Sequence, residues 1–185
     1  MDYKEQTKKA MEMFAKDERT IFLGQTVCYP GSPMHMSFED VPAEKKLELP
    51  VAEDMQMGMS IGLCLEGFIP ISIYPRIDFL ILAMNQLINH LDKVEEMSHG
   101  EFKPKVIIRT QVGNTKPLYP GCQHCGDYTD ALKVLCKNID VVKIESAEDV
   151  IPKYKKALES DRSTILIEIP TGGTKAQIEK YGKLK

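Results

Sequence analysis

No run of apolar residues in this sequence approaches the roughly 20 that a membrane-spanning helix needs, and the opening Met1-Asp2-Tyr3-Lys4-Glu5 is charged where a secretion signal would be apolar. No membrane partner is expected, and the cytoplasm is the expected compartment. A basic stripe is missing as well. The formal net charge is -3 and acidic and basic residues are mixed along the chain, so nucleic acid is not an expected partner. No glycine-rich loop of the phosphate-cradling kind occurs. The five cysteines, at 28, 64, 122, 125 and 136, form an odd set in a chain long enough to be stable without staples, and free thiols are expected.

What is present is the make-up of one globular domain. The chain has 185 residues, 43% of them hydrophobic and 28% charged, enough for one core and too few for two ordinary domains. Apolar positions at Ala10, Met11, Met13 and Phe14 predict an amphipathic helix over 3–16, and Thr20-Ile21-Phe22-Leu23 a short buried strand. Residues 25–46 carry Pro30, Gly31, Pro33 and Pro42 without periodicity and read as a loop. Then follow a strand at 47–50, a helix at 53–65, a strand at 69–74 and a long helix at 77–97. A strand at 105–110, a loop at 111–126, a helix at 127–136, a strand at 141–144, a helix at 148–159 and a strand at 164–169 complete the order. Strands alternating with helices require crossovers, so the expected fold is α/β, a doubly wound, mostly parallel sheet with helices on both faces. Residues 1–170 form the expected single domain, and 171–185, rich in lysine, a polar C-terminal tail.

In such sheets ligands bind at the carboxyl ends of the strands, where loops and helix N-termini meet. Three segments there carry chemistry: Glu53, opening the helix after 47–50; Pro75-Arg76-Ile77-Asp78-Phe79 after 69–74; and Cys122-Gln123-His124-Cys125 in the loop after 105–110. Each has a bland alternative. A carboxylate in a first helical turn gains up to about 1 kcal/mol from the helix dipole alone, and a loop histidine is often only hydrogen-bonded. Gly58 and Gly62, one helical turn apart, predict close packing of helix on strand, because an interior glycine costs about 1 kcal/mol against alanine. Cys122 and Cys125 also admit a redox or zinc reading, although a second pair of ligands is missing. The methionines at 55, 57, 59, 84 and 97 read as core or interface filler.

From about Leu49 to Pro170 the chain resembles the pyrimidine-binding domain of the β subunit of 2-oxo-acid dehydrogenases, in the transketolase-like superfamily. The resemblance rests on Pro50-Val51-Ala52-Glu53, Gly58, Gly62, Gly67-Phe68-Ile69-Pro70, Asp78-Phe79, Asn85-Gln86 with Asn89, Met97-Ser98-His99-Gly100, Phe102-Lys103, Val106-Ile107-Ile108-Arg109 and Gln123-His124. It implies a thiamine diphosphate enzyme acting on a small carbonyl substrate, either a 2-oxo acid or, as in transketolase, a ketose. Glu53 would hydrogen-bond a ring nitrogen of the aminopyrimidine, where a desolvated carboxyl can share a proton with the ring. Phe79 would stack on the pyrimidine, with Pro75 and Leu82 as neighbouring wall. His124 would sit near the reacting carbon, as a charge stabiliser or proton shuttle. Arg76 departs from the family pattern and stands either as a clamp for a substrate carboxylate or phosphate or as one half of a surface ion pair.

The family's Gly-Asp-Gly motif, which marks the diphosphate and magnesium site, does not occur here. The resemblance therefore implies a partner subunit that carries the diphosphate-binding domain and the magnesium, joined with this chain in a heterotetramer, with no metal held by this chain. The family's C-terminal domain, which would begin near residue 170, is expected to be absent. Two other readings remain open at this point: a non-catalytic interaction subunit paired with an active homologue, and a thiol or metal protein built on residues 122–125.

Overall fold

The computed structural model describes residues 2–30, 32–113 and 120–169, so the expected polar tail at 171–185 lies outside the described residues. Six strands form one sheet in the order β2-β1-β3-β4-β6-β5, with β1 Thr20–Gly24, β2 Lys46–Glu48, β3 Ile69–Tyr74, β4 Ile107–Gln111, β5 Asp140–Ile144 and β6 Thr164–Glu168. Every pairing is parallel. The central strands β3 and β6 are buried along their whole length, as strands covered on both faces must be. The expected α/β fold, a parallel sheet with helices on both faces, is the one observed.

Two cores lie on the two faces. On one, α1 (Tyr3–Ala15) and α7 (Ala147–Glu159) set Met11, Phe14, Val150 and Tyr154 against Phe22, Ile71, Ile107 and Leu166. The short α2 (Pro33–Met36), opened by Ser32 accepting from the His35 amide at 3.0 Å, adds Met34 and brings Phe38 to the same cluster. On the other face, α3 (Glu53–Leu65) and α6 (Thr129–Leu135) place Met57 and Leu132 against Tyr74, Ile108 and Ile165.

The segment expected as one long helix over 77–97 is broken. It runs as α4 (Ile77–Leu80), a 3-10 turn (Ile81–Ala83), a π-helix (Asn85–Leu91) and α5 (Val94–Met97). Leu80, Ala83, Leu87 and Leu91 are all buried, and a change of helical pitch keeps these positions on the core across the segment. The segment expected as loop over 25–46 also contains order, in α2 and in a 3-10 turn at Ala43–Lys45.

The glycines of α3 do not pack as expected. Among the described residues a Cβ on Gly58 would meet only the Gln86 side chain, at 3.8 Å, and one on Gly62 nothing within 4 Å. Polar residues make the close contact of helix with strand instead. Buried Gln56 donates to the Ile73 carbonyl at 2.9 Å and to Ser72 Oγ at 3.1 Å, and Ser60 Oγ lies 3.1 Å from the same Ser72 Oγ.

Across the carboxyl ends of β4 and β6, Arg109 and Glu168 form a buried ion pair at 2.7 Å. Arg109 also donates to Ser37 Oγ at 2.6 Å and lies 5.3 Å from the Phe38 ring centre, while Tyr154 donates its hydroxyl to Glu168. Burial opposes the guanidinium charge most strongly, but the Glu168 carboxylate together with Tyr154 and Tyr3 outweighs it and holds the Arg109 pKa above its ordinary value. Among the described residues no helix is long and apolar enough to cross a membrane.

Candidate functional site

The carboxyl edge of β1, β2, β3 and β4 gathers the residues singled out in the sequence. At the end of β1 the chain turns through Gly24, whose φ of +141° is open to glycine, and whose position tolerates no Cβ because one would lie 2.3 Å from the Ile73 carbonyl. The following Thr26 is also left-handed, at φ +62°. The Glu48 carboxylate holds this turn by accepting from the amides of Thr26, Val27 and Cys28 at 2.7, 2.8 and 2.7 Å. The turn presents Gln25, whose Nε2 reaches Glu53 Oε1 at 3.3 Å.

Glu53 is the first residue of α3 and is only 5% exposed. The helix N-terminus favours its negative charge, and among the described residues no cation pairs with it. Its backbone carbonyl accepts from the Tyr74 hydroxyl at 3.2 Å. Burial raises the pKa of Tyr74 well above its ordinary value, so the hydroxyl stays a donor and fixes the start of α3 on the end of β3.

On the other side of that strand end, the 3-10 turn Cys122–His124 is pressed against α4. The His124 ring meets the Phe79 ring edge to face, 5.6 Å between centres at 87°. Arg76 Nη1 donates to the His124 carbonyl at 3.2 Å, and Asp78 Oδ1 accepts from the Gly126 amide at 3.1 Å. Gly113 makes this approach possible, since a Cβ there would lie 1.5 Å from the His124 carbonyl oxygen. Arg76 thus ties a loop down, a task that neither reading of the sequence gave it. Among the described residues it forms no ion pair.

Phe79, His124 and Arg76 are therefore brought together, and Glu53 lies at the same sheet edge with the end of β3 between. Pro75 is half-buried beside them, whereas Leu82 is 63% exposed on the turn after α4. Buried polar atoms at this edge lack a partner among the described residues: His124 Nδ1, Asp78 Oδ2 and Thr26 Oγ1. Buried groups of this kind are costly unless something completes them, so they mark places where a ligand or second chain can bond. A buried carboxylate, a half-buried aromatic ring and unsatisfied polar atoms at one edge suit a flat, nitrogen-bearing ring. Among the described residues no three His, Cys, Asp or Glu side chains are grouped to hold a metal ion, and the thiols of Cys122 and Cys125 are free.

Gln25, Glu48, Tyr74 and Gly113 were not singled out by sequence, and Asp78 was named only as part of a motif, without the loop contact it makes. Each acts through a partner 20 or more residues away, or through the space its missing side chain leaves, and no local pattern signals that.

No protein-family model matches the chain. Among curated proteins it is 31% identical over 113 residues to the pyruvate dehydrogenase E1 component subunit beta of Cyanidium caldarium, covering 58% of this chain and 34% of that protein. It is 26% identical over 137 residues to the 3-methyl-2-oxobutanoate dehydrogenase subunit beta of Mycobacterium tuberculosis, covering 71% of this chain and 38% of that protein. Among solved structures, a split-gene transketolase described as an inactive beta4 tetramer superposes with a TM-score of 0.68 at 20% identity, over 89% of this chain and 50% of that one. The chain spans about a third of the length of the curated relatives it matches. The fold is that of a transketolase-like pyrimidine-binding domain. At low identity and over part of its length the chain is similar in sequence to the β subunits of 2-oxo-acid dehydrogenases, and it shares its fold with transketolases.

Proposed function

We propose that this chain supplies the pyrimidine-binding side of a thiamine diphosphate site, in an enzyme that breaks or forms a carbon–carbon bond next to the carbonyl of a 2-oxo acid. The observation that carries the reading is the buried Glu53 carboxylate, unpaired with any cation among the described residues, at the mouth of α3 and across the end of β3 from Phe79 and His124. The coenzyme, when bound, supplies a carbon nucleophile for attack on the substrate carbonyl. Glu53 would hold a proton against a pyrimidine nitrogen, with Gln25 fixing the carboxylate's orientation from Oε1. Phe79 would give the ring a flat apolar surface, with Pro75 and Leu82 extending that wall. His124 would use its free Nδ1 to bond a substrate oxygen or pass a proton. Arg76 keeps His124 in place through the loop carbonyl.

The diphosphate and magnesium would be held by a partner subunit with a Gly-Asp-Gly motif, which makes a heterotetramer the expected assembly. The relatives' names, subunit beta and split gene, support a divided enzyme. So does an exposed apolar surface at Ile81, Leu82, Tyr128 and Leu135, beside a cavity of about 170 Å³ lined by Ile77, Leu80, Met84 and Leu132.

The test is coexpression with such a partner and assay of coenzyme-dependent decarboxylation of 2-oxo acids beside ketose cleavage. Glu53→Gln should lower turnover by a factor of about 100 or more, the scale of a lost acid–base group, with circular dichroism and assembly unchanged. Near-normal turnover removes the role assigned to Glu53, and ketose cleavage alone moves the substrate to the transketolase class. His124→Ala should slow turnover more than it weakens coenzyme binding; the reverse order removes its chemical role.

A further inference from the structure

The sequence has no basic stripe, yet the fold builds a basic groove at the sheet's end. Among the described residues β5 is the terminal strand, paired on one side with β6. Beside it runs an open groove of about 530 Å³ lined by Lys133, Lys137, Lys153, Lys156 and Arg162, with Asp140 as its one acid. Asp140 is taken by Arg162 Nε at 3.3 Å, while Lys133 and Lys153 lean on Asp130 and Asp149 at 3.3 and 3.1 Å. Lys137 and Lys156 are exposed and form no ion pair among the described residues, which leaves the groove with excess positive charge in a chain of net charge -3.

The backbone of β5 adds direction. Asp140 donates its amide to the Ser163 carbonyl at 3.0 Å, and the Ile144 carbonyl accepts from the Ile169 amide at 3.0 Å, so residues 140, 142 and 144 bond inward to β6. In a parallel ladder the alternate residues, Val141 and Lys143, then aim their amides and carbonyls outward. The Lys143 carbonyl accepts from Lys153 Nζ at 2.8 Å, and the Lys143 ammonium is held by Asp127 at 2.8 Å. Among the described residues nothing pairs with the Val141 amide and carbonyl or with the Lys143 amide, and these are the groups an added strand would meet.

We propose that this edge is a docking groove for an acidic, extended segment of another chain, added as a strand beside β5. The placement of the cations favours an extended peptide over a compact anion. Lys133 and Lys137 belong to α6 and its end, on one face of the sheet, and Lys153 and Lys156 to α7, on the other. Successive side chains of a strand point to opposite faces, so consecutive acidic residues meet a lysine on each side. Main-chain bonds then supply affinity and the flanking charges supply selectivity. Lysines at a strand edge also serve simply to keep copies of the chain apart, and the experiment separates that role from docking.

The full chain is titrated with a fluorescein-labelled octapeptide, Glu-Asp-Val-Glu-Asp-Val-Glu-Asp, and with two versions carrying N-methyl groups on its odd or its even amides. Binding is expected for the unmodified peptide. Only one methylation pattern, the one facing β5, should weaken it, by a factor of ten or more. Hydrogen exchange at Val141 should slow when the peptide is present. Lys137→Glu with Lys156→Glu should weaken binding at least tenfold, and Lys137→Gln with Lys156→Gln gives the same test with a milder change, should charge reversal impair folding. No binding of the unmodified peptide overturns the proposal and leaves the lysines as edge guards. Equal binding of both methylated peptides overturns strand addition. Competition by tripolyphosphate or single-stranded RNA as strong as that of the peptide reassigns the groove to anions in general.

Discussion

Replacing Gly113 by alanine tests whether the His124 loop is held by close approach to the end of β4. The added methyl would sit 1.5 Å from the His124 carbonyl oxygen, and ordinary contact begins near 3.4 Å, so this backbone must retreat by about 2 Å. Arg76 cannot keep its 3.2 Å bond to that carbonyl, nor the His124 ring its edge-to-face contact with Phe79. A hydrogen bond from a charged group contributes about 1.5–3 kcal/mol and an aromatic pair about 0.5–1.5 kcal/mol, so closure of the loop should weaken by about 2–4 kcal/mol. Hydrogen exchange in residues 121–126 should then accelerate by roughly thirtyfold or more, while β3 and β6 keep their protection. Turnover in the proposed assembly should fall alongside. Unchanged exchange in 121–126 would refute the idea that Gly113 sets the loop's position.

Arg109→Met leaves Glu168 buried without its cation and should cost about 3–5 kcal/mol in urea unfolding, while Arg109→Met with Glu168→Leu should recover at least half of that loss. Equal losses in the single and double variants would show that the pair is not the source. Glu48→Ala strips the acceptor from three amides of the turn at 26–28 and should cost about 2 kcal/mol, a fall in Tm of about 4–8 °C, with Glu48→Gln milder. Burial pushes the Cys64 and Cys136 thiols up to about 11 and about 12. The unfolded chain ionises them near 9, so their contribution to stability is complete below that pH and is lost as pH rises through the folded values. Stability measured from pH 8 to 11 should decline less in Cys64→Ser with Cys136→Ala than in the parent, and iodoacetamide at pH 8 should label exposed Cys28 and Cys122 ahead of Cys136.

Much of the architecture is written in local patterns. The strand expected at 69–74 and the helix expected at 148–159 became β3 and α7 with boundaries shifted by at most one residue. Local patterns failed where a tertiary contact decides. The apolar residues at 77–97 fit a continuous helix, but reaching both Leu80 and Leu91 with core-facing side chains took three kinds of turn. The helical cost of Gly58 and Gly62 predicts tight packing, and yet among the described residues nothing crowds either of them. Glu53, Phe79 and His124 were marked by their place after strand carboxyl ends, and their order and spacing in a family resemblance gave each a role. Their supports are invisible for a plainer reason: Glu48 is defined by amides some 20 residues earlier and Gly113 by an oxygen 11 residues later, and only folding brings these together.

The π-helix at Asn85–Leu91 has a consequence for how the chain tolerates change. Its end delivers the buried Asp92, whose carboxylate accepts from the amides of Lys137 and Asn138 at 2.9 and 2.7 Å. The wide turn thus serves as a spacer that aims one carboxylate at the bend between α6 and β5. Drop a single residue from it, and an ordinary helix would swing Asp92 about 100° around the axis, leaving those two amides without their acceptor. Length, more than side-chain identity, is what this stretch of sequence has to preserve.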